Sequence, residues 1–139
     1  MNKTTLKYEL DLDFVLLAIT APLKDYKLCF YINKHLNVNF RKIDELELMF
    51  NADENPFCFS RYHYSEYQSD TDFFILANKG TEGFLVPEMK NVDFFLLIHN
   101  YIDKEDLQQF IVGLNKISEI LVAVEINPRK LKSKENLVF

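Results

Sequence analysis

The sequence predicts an α+β fold, an antiparallel sheet of about six strands with two helices packed on one face. Three observations carry this. Two segments, one after Pro22 and one after Asp103, repeat apolar residues every three or four positions, the period of a half-buried helix. Around them run short apolar or alternating stretches joined by turns of Asn, Asp, Gly and Pro, the usual connection of antiparallel strands. The chain also holds 13 Phe and 7 Tyr against only 3 Gly, a composition suited to pleated, half-buried surfaces. At 139 residues it fits one domain that can bury a core without disulfides or metal.

In chain order, Leu6, Tyr8, Leu10 and Leu12 alternate with charged residues, as a strand with one wet face does. The run Phe14–Ile19 loses the polar face and reads as a buried strand, either separate or continuous with the first. Thr20-Ala21-Pro22 then signals a helix start, with Thr20 or Ala21 at the cap and Pro22 in the first turn. The helix carries Leu28, Ile32 and Leu36 on one stripe and Leu23, Tyr26 and Phe30 on an adjoining one, so a wide buried face is expected. Asn37 is a natural stop, because Asn tolerates the left-handed conformation.

Glu45–Phe50 reads as a strand, Asn51 to Pro56 as a turn, and Phe57–Tyr67 as an alternating strand. Ser69-Asp70-Thr71 reverses the chain into a strand over Asp72–Asn78, and Lys79 to Gly83 reverses it again. Phe84 to Asn100 is the densest apolar segment. It reads as one bent strand, two apolar runs (Phe84–Val86 and Val92–Ile98) joined by a polar hinge. Asp103 caps a second helix over Tyr101–Ser118, whose stripe is Leu107, Phe110, Ile111, Leu114 and Ile117. Ile120–Ile126 is β-branched and apolar, a well-covered strand ended by Asn127-Pro128. The order β(β)–α–β–β–β–β–α–β is consistent with an antiparallel meander, and an elaborated ferredoxin-like split βαβ is one arrangement of it. Residues 1–128 form the domain. Residues 129–139 form a basic tail with an apolar end, which either docks or frays.

Several function classes are excluded or disfavoured. A net charge of −5 disfavours a general nucleic-acid binder, and RNA contact through Arg129, Lys130, Lys132 and Lys134 is the weaker form of that idea. No apolar run approaches the roughly 18 residues of a membrane span, and the first residues lack a signal-peptide core, so a cytoplasmic protein is expected. Cys29 and Cys58 sit singly among apolar residues as reduced thiols, and three scattered histidines give no metal-ligand spacing. No phosphate loop, dinucleotide fingerprint or nucleophile elbow is present, so no cofactor and no metal is expected.

The candidate polar site is Glu88 with Asp93, with His63 as a further member. A carboxylate pair does acid–base work only if the two groups converge. Residues five apart on one strand point to opposite faces, so Glu88 and Asp93 converge only if residues 88–91 loop out. The bland alternative is that Glu88 braces the turn after Pro87 and Asp93 bonds nearby backbone. His63, flanked by Tyr62 and Tyr64, suits either a small polar pocket or a cross-strand pair.

Val86-Pro87-Glu88, three further residues, and then Val92-Asp93-Phe94 resemble the signature of the IPExxxVDY family of small bacterial proteins. Val86 stands for the Ile and Phe94 for the Tyr, which removes any phenolic chemistry at position 94. The resemblance extends in short matches to Lys24-Asp25-Tyr26, Ile32-Asn33-Lys34, Ala77-Asn78-Lys79 and the stretch Leu131 to Asn136. If the motif marks a site, the resemblance implies Asn33 and Asn78 as companions of Glu88 and Asp93 in it. The family name states a motif and no activity. The leading expectation is therefore a non-enzymatic domain that binds another protein or itself. It rests on more apolar strand surface than two helices can cover, which a homodimer would hide. A small enzyme or ligand-binding domain using Glu88 and Asp93 is the alternative.

Overall fold

The computed structural model describes residues 11–50 and 54–139, so the alternating segment before Asp11 and part of the predicted turn at 51–56 lie outside it. Six strands, β1 (Val15–Thr20), β2 (Arg41–Leu48), β3 (Phe57–Ser65), β4 (Asp72–Ala77), β5 (Phe94–His99) and β6 (Val122–Ile126), form one sheet in the order β2-β3-β4-β5-β1-β6. Every neighbouring pair is antiparallel. Helix α1 (Asp25–Leu36) connects β1 to β2, and α2 (Lys104–Asn115) connects β5 to β6. The fold is α+β, as the periodicities predict. Because β1 runs antiparallel to both β5 and β6, those two strands are parallel, and β5–α2–β6 is a split βαβ with β1 in the gap.

Two apolar layers follow from strand parity. Phe94, Leu96 and Ile98 of β5 face the helices and pack with Leu28, Cys29, Ile32, Leu114 and Ile117. Phe95 and Leu97 face the other way and pack with Phe59, Leu76, Leu85, Val86, Leu131 and Leu137. This second face is covered by a strap from the chain itself. Its parts are residues 84–92, with a single 3-10 turn at Pro87–Met89, and the last residues, which fold as 3-10 turns at Pro128–Lys130 and Lys134–Leu137. The tail therefore docks, with Leu137 fully buried. The strap covers part of the apolar surplus of this face, while Val122 and Val124 of β6, an edge strand and not the well-covered one expected, stand 44% and 49% exposed.

Three local expectations are corrected. The segment 84–100 is not one bent strand. Only Phe94–His99 is strand, while Phe84 makes an isolated bridge to Lys79 and Pro87 opens a 3-10 turn. Helix α1 begins at Asp25, with Lys24 at the cap making no side-chain cap bond, because Thr20 is still held extended against Val122. Tyr26 and Phe30 do not join the buried stripe. Leu28, Cys29 and Ile32 fill the contact with the sheet, and the two aromatics lie 61% and 58% exposed. Asn37 does end α1 in the left-handed conformation (φ 57°). Asp103 does cap α2, accepting from the Asp106 N–H at 2.9 Å.

Both sheet edges are blunted. Strand β2 is rich in charge (Arg41, Lys42, Asp44, Glu45, Glu47), and its register shifts between Ile43 and Leu46. At β6 the Asn115 side chain accepts from the Ala123 N–H (2.9 Å) and donates to its C=O (2.8 Å), taking the place of a neighbouring strand.

Candidate functional site

The five polar candidates do not converge on one site: Asn78 holds the stretch that carries Glu88 and Asp93, Asn33 and His63 lie elsewhere, and each is engaged within the fold. Asn78 is fully buried and organises the whole signature stretch. Its backbone N–H donates to the Asp93 C=O (2.9 Å) and its C=O accepts from the Leu85 N–H (2.7 Å). Its side chain accepts from the Val86 N–H (2.8 Å) and donates to the Met89 and Val92 carbonyls (both 2.9 Å). A buried amide with every group paired in this way fixes a loop that has no ladder of its own. Residues 85–93 are wrapped around one asparagine.

The loop forms, but it does not bring the carboxylates together. Glu88 lies exposed on the strap, where its two oxygens accept from the Ser133 hydroxyl (2.8 Å) and the Ser133 N–H (2.9 Å). Burial tends to raise its pKa, yet the two Ser133 bonds outweigh that and hold the carboxyl below its ordinary range. Asp93 reaches the other way. Its carboxylate accepts from the Ala21 N–H (2.7 Å), while its own N–H donates to the Ile19 C=O (3.0 Å), fixing the exit of β1 toward α1. Glu88 thus fastens the tail to the strap, and Asp93 fastens β1 to the start of β5.

Asn33 closes the α1–β2 connection, accepting from the Phe40 N–H (2.7 Å) and donating to the Phe40 C=O (3.2 Å). His63 of β3 pairs with Asp72 of β4 at 2.8 Å, the cross-strand arrangement the sequence allowed. Asp72 also accepts from the Asn100 amide (3.2 Å).

One open cleft does touch the signature. It holds about 420 Å³ between the start of α1 and the ends of β4 and β5, lined by Lys24, Asp25, Ser60, Lys79 and Asp93 among others. Asp25 accepts from the Tyr62 hydroxyl (3.1 Å), and burial together with that carboxylate raises the Tyr62 pKa. The cleft balances two lysines against two aspartates. Nearby Cys29 is buried, which with Asp25 pushes its thiol up to about 12, so it is no nucleophile. Among the described residues no cluster of His, Cys, Asp and Glu could hold a metal ion, and no helix is long and apolar enough to cross a membrane.

Two features were not anticipated. His99 is stacked on Phe14 (5.3 Å between centroids) and edge-on to Phe74 (5.3 Å), with Phe139 at 6.0 Å. Its Nε2 is buried without a hydrogen-bond partner among the described residues, and burial lowers its pKa against the pull of Asp11 and Asp72. The second feature is the outer face of α1, where Tyr26 and Phe30 stand one turn apart in solvent. Comparison with protein-family models and with curated proteins returned no match for this chain.

Proposed function

We propose that this is a non-enzymatic protein-interaction domain whose contact surface is the outer face of α1. One observation carries the reading: Tyr26 and Phe30 are left more than half exposed, one helical turn apart, while the polar residues of the signature are engaged inside the fold. Exposed aromatics pay a solvation cost that a core position would remove, and aromatic side chains are the usual anchors of protein interfaces. The charged, register-shifted edge at β2 and the Asn115 amide bound to the β6 edge favour a different protein over a second copy as the partner. The resemblance to the IPExxxVDY family, a bacterial origin and a cytoplasmic setting belong to the same reading. In it the signature is a scaffold device that holds the strap to the sheet.

The test is size-exclusion chromatography of the protein in extract from its own cells. The chain should elute as a species larger than its own 16.5 kDa. The double variant Tyr26→Ser/Phe30→Ser should elute as the free chain with its melting temperature unchanged. Elution of the natural chain as a free monomer, or a complex that the double variant leaves intact, would sink the proposal.

A small-ligand reading keeps one supporting observation, that Asp93 lines the cleft below α1. Asp93→Asn would then abolish ligand binding without loss of stability. On the scaffold reading it loosens the junction of β1 and α1.

A further inference from the structure

Resting on that reading, we infer the chemistry of the partner: an acidic protein segment that carries aromatic or large apolar side chains. The outer face of α1 exposes Lys24, Lys27 and Lys34 and no exposed acid. Its one aspartate, Asp25, is half-buried and accepts from the Tyr26 N–H and the Tyr62 hydroxyl. None of the three lysines is paired with a carboxylate among the described residues. At 3.6 residues per turn, Tyr26, Phe30, Lys34 and Lys27 fall within one stripe about 100° wide. Lys34 Nζ lies 5.9 Å from the Phe30 ring centroid, so charge and aromatic surface are interleaved.

This basic face belongs to a chain of net charge −5. An anionic partner is repelled by the acidic remainder of the chain and drawn to this face, where the aromatics set it apart from the basic tail, which gives orientation and a fast, salt-sensitive encounter. The neighbouring helix sharpens the contrast, because its first turn exposes Glu105 and Asp106. The aromatics set the second requirement. Lysines alone would accept any polyanion, whereas Tyr26 and Phe30 reward a segment that brings its own apolar side chains. A polynucleotide fits less well, since two lysines on a 12-residue helix and a third at its N-cap neutralise few phosphates and the acidic body repels the remainder of the strand. Helix α1 spans about 18 Å at 1.5 Å per residue, so the site takes a short segment in a small, transient interface.

The experiment uses the full chain and three probes: a random copolymer of glutamate and tyrosine, polyglutamate, and a 12-nucleotide oligouridylate. Binding is followed by fluorescence anisotropy, with amide shifts to locate the contact. The copolymer should bind about tenfold or more tightly than polyglutamate, shift α1 amides, and weaken as salt rises. Lys27→Glu/Lys34→Glu and Phe30→Ser should each weaken it about tenfold while the melting temperature holds. Tighter binding of the oligouridylate would overturn the inference in favour of nucleic acid. Absence of copolymer binding, or binding indifferent to Lys27→Glu/Lys34→Glu, would overturn it as well. The interaction reading fails separately, when Tyr26→Ser/Phe30→Ser leaves the native complex intact.

Discussion

The two faces of the sheet are covered by different means. On one face, two helices lay down apolar stripes of regular period, and the contact is made by Leu28, Ile32, Leu114 and Ile117. On the other, a strap without periodic structure places single apolar residues (Leu85, Val86, Leu131, Leu137) against Phe59, Leu76, Phe95 and Leu97. A helix brings its backbone hydrogen bonds with it, so only its side chains need a partner. A strap must find partners for its backbone elsewhere, and here Asn78, Glu88 and Asn136 provide them. The polar residues around the signature are therefore the counterpart of the helical ladder on the opposite face.

The largest expected effect follows from Asn78. Replacing it with Leu leaves the Val86 N–H and the Val92 carbonyl without their partner in a buried place, and the Met89 carbonyl with the Val92 N–H alone. The cost should be about 3–4 kcal/mol in urea unfolding, or failure to fold. A cost under about 1 kcal/mol would show that the strap holds by apolar contact alone.

Next comes the direct comparison of the faces. Leu137→Ala on the strap side and Leu114→Ala on the helix side both empty a fully buried site, and each should cost about 2–4 kcal/mol. If Leu137→Ala costs far less, the strap yields where the helices do not, and the two faces are not equal cores.

The smallest effect is at Glu88. Its carboxyl is held below its ordinary range, so its contribution is full above about pH 4.3 and is lost as pH falls through the lowered folded value. Because the group is exposed, Glu88→Gln should cost under about 1 kcal/mol at neutral pH. In acid, amides of residues 131–139 should exchange faster in the natural chain while those of α2 stay protected. Equal loss in both segments would mean that the carboxylate does not hold the tail specifically.

The same contrast explains what was legible in the sequence. The helix face could be read because Leu107, Phe110, Ile111 and Leu114 repeat at helical spacing, and strand parity correctly divided Phe94, Leu96 and Ile98 from Phe95 and Leu97. The strap could not, because its apolar residues follow no period and Glu88 meets Ser133 across 45 positions. Asn78, Asn33 and Asp93 were marked by the family resemblance, but nothing local specifies which distant amide or carbonyl each one takes. Tyr26 and Phe30 were misplaced for a different reason. An aromatic residue beside a buried stripe reads as core by hydrophobicity alone, and only the real width of the sheet contact leaves it outside. His99, at the end of its strand, reads from sequence as a rim or helix-capping residue, and its stacking was not legible because the rings around it come from three other parts of the chain.

The position of β1 has a consequence for how the molecule is made. Leu16 pairs with Leu97 on one side and with Ile126 on the other, so the earliest strand described waits for two of the latest. During synthesis the β2–β3–β4 meander can assemble as soon as it emerges, while Leu16, Leu17 and Ile19 stay without a neighbour until β5 and β6 arrive. Closure of such distant ends is slow, and a solvent-exposed apolar segment is most at risk in that interval. A nascent chain of this protein therefore has no neighbour for β1 until β5 emerges, and no complete sheet until β6 follows.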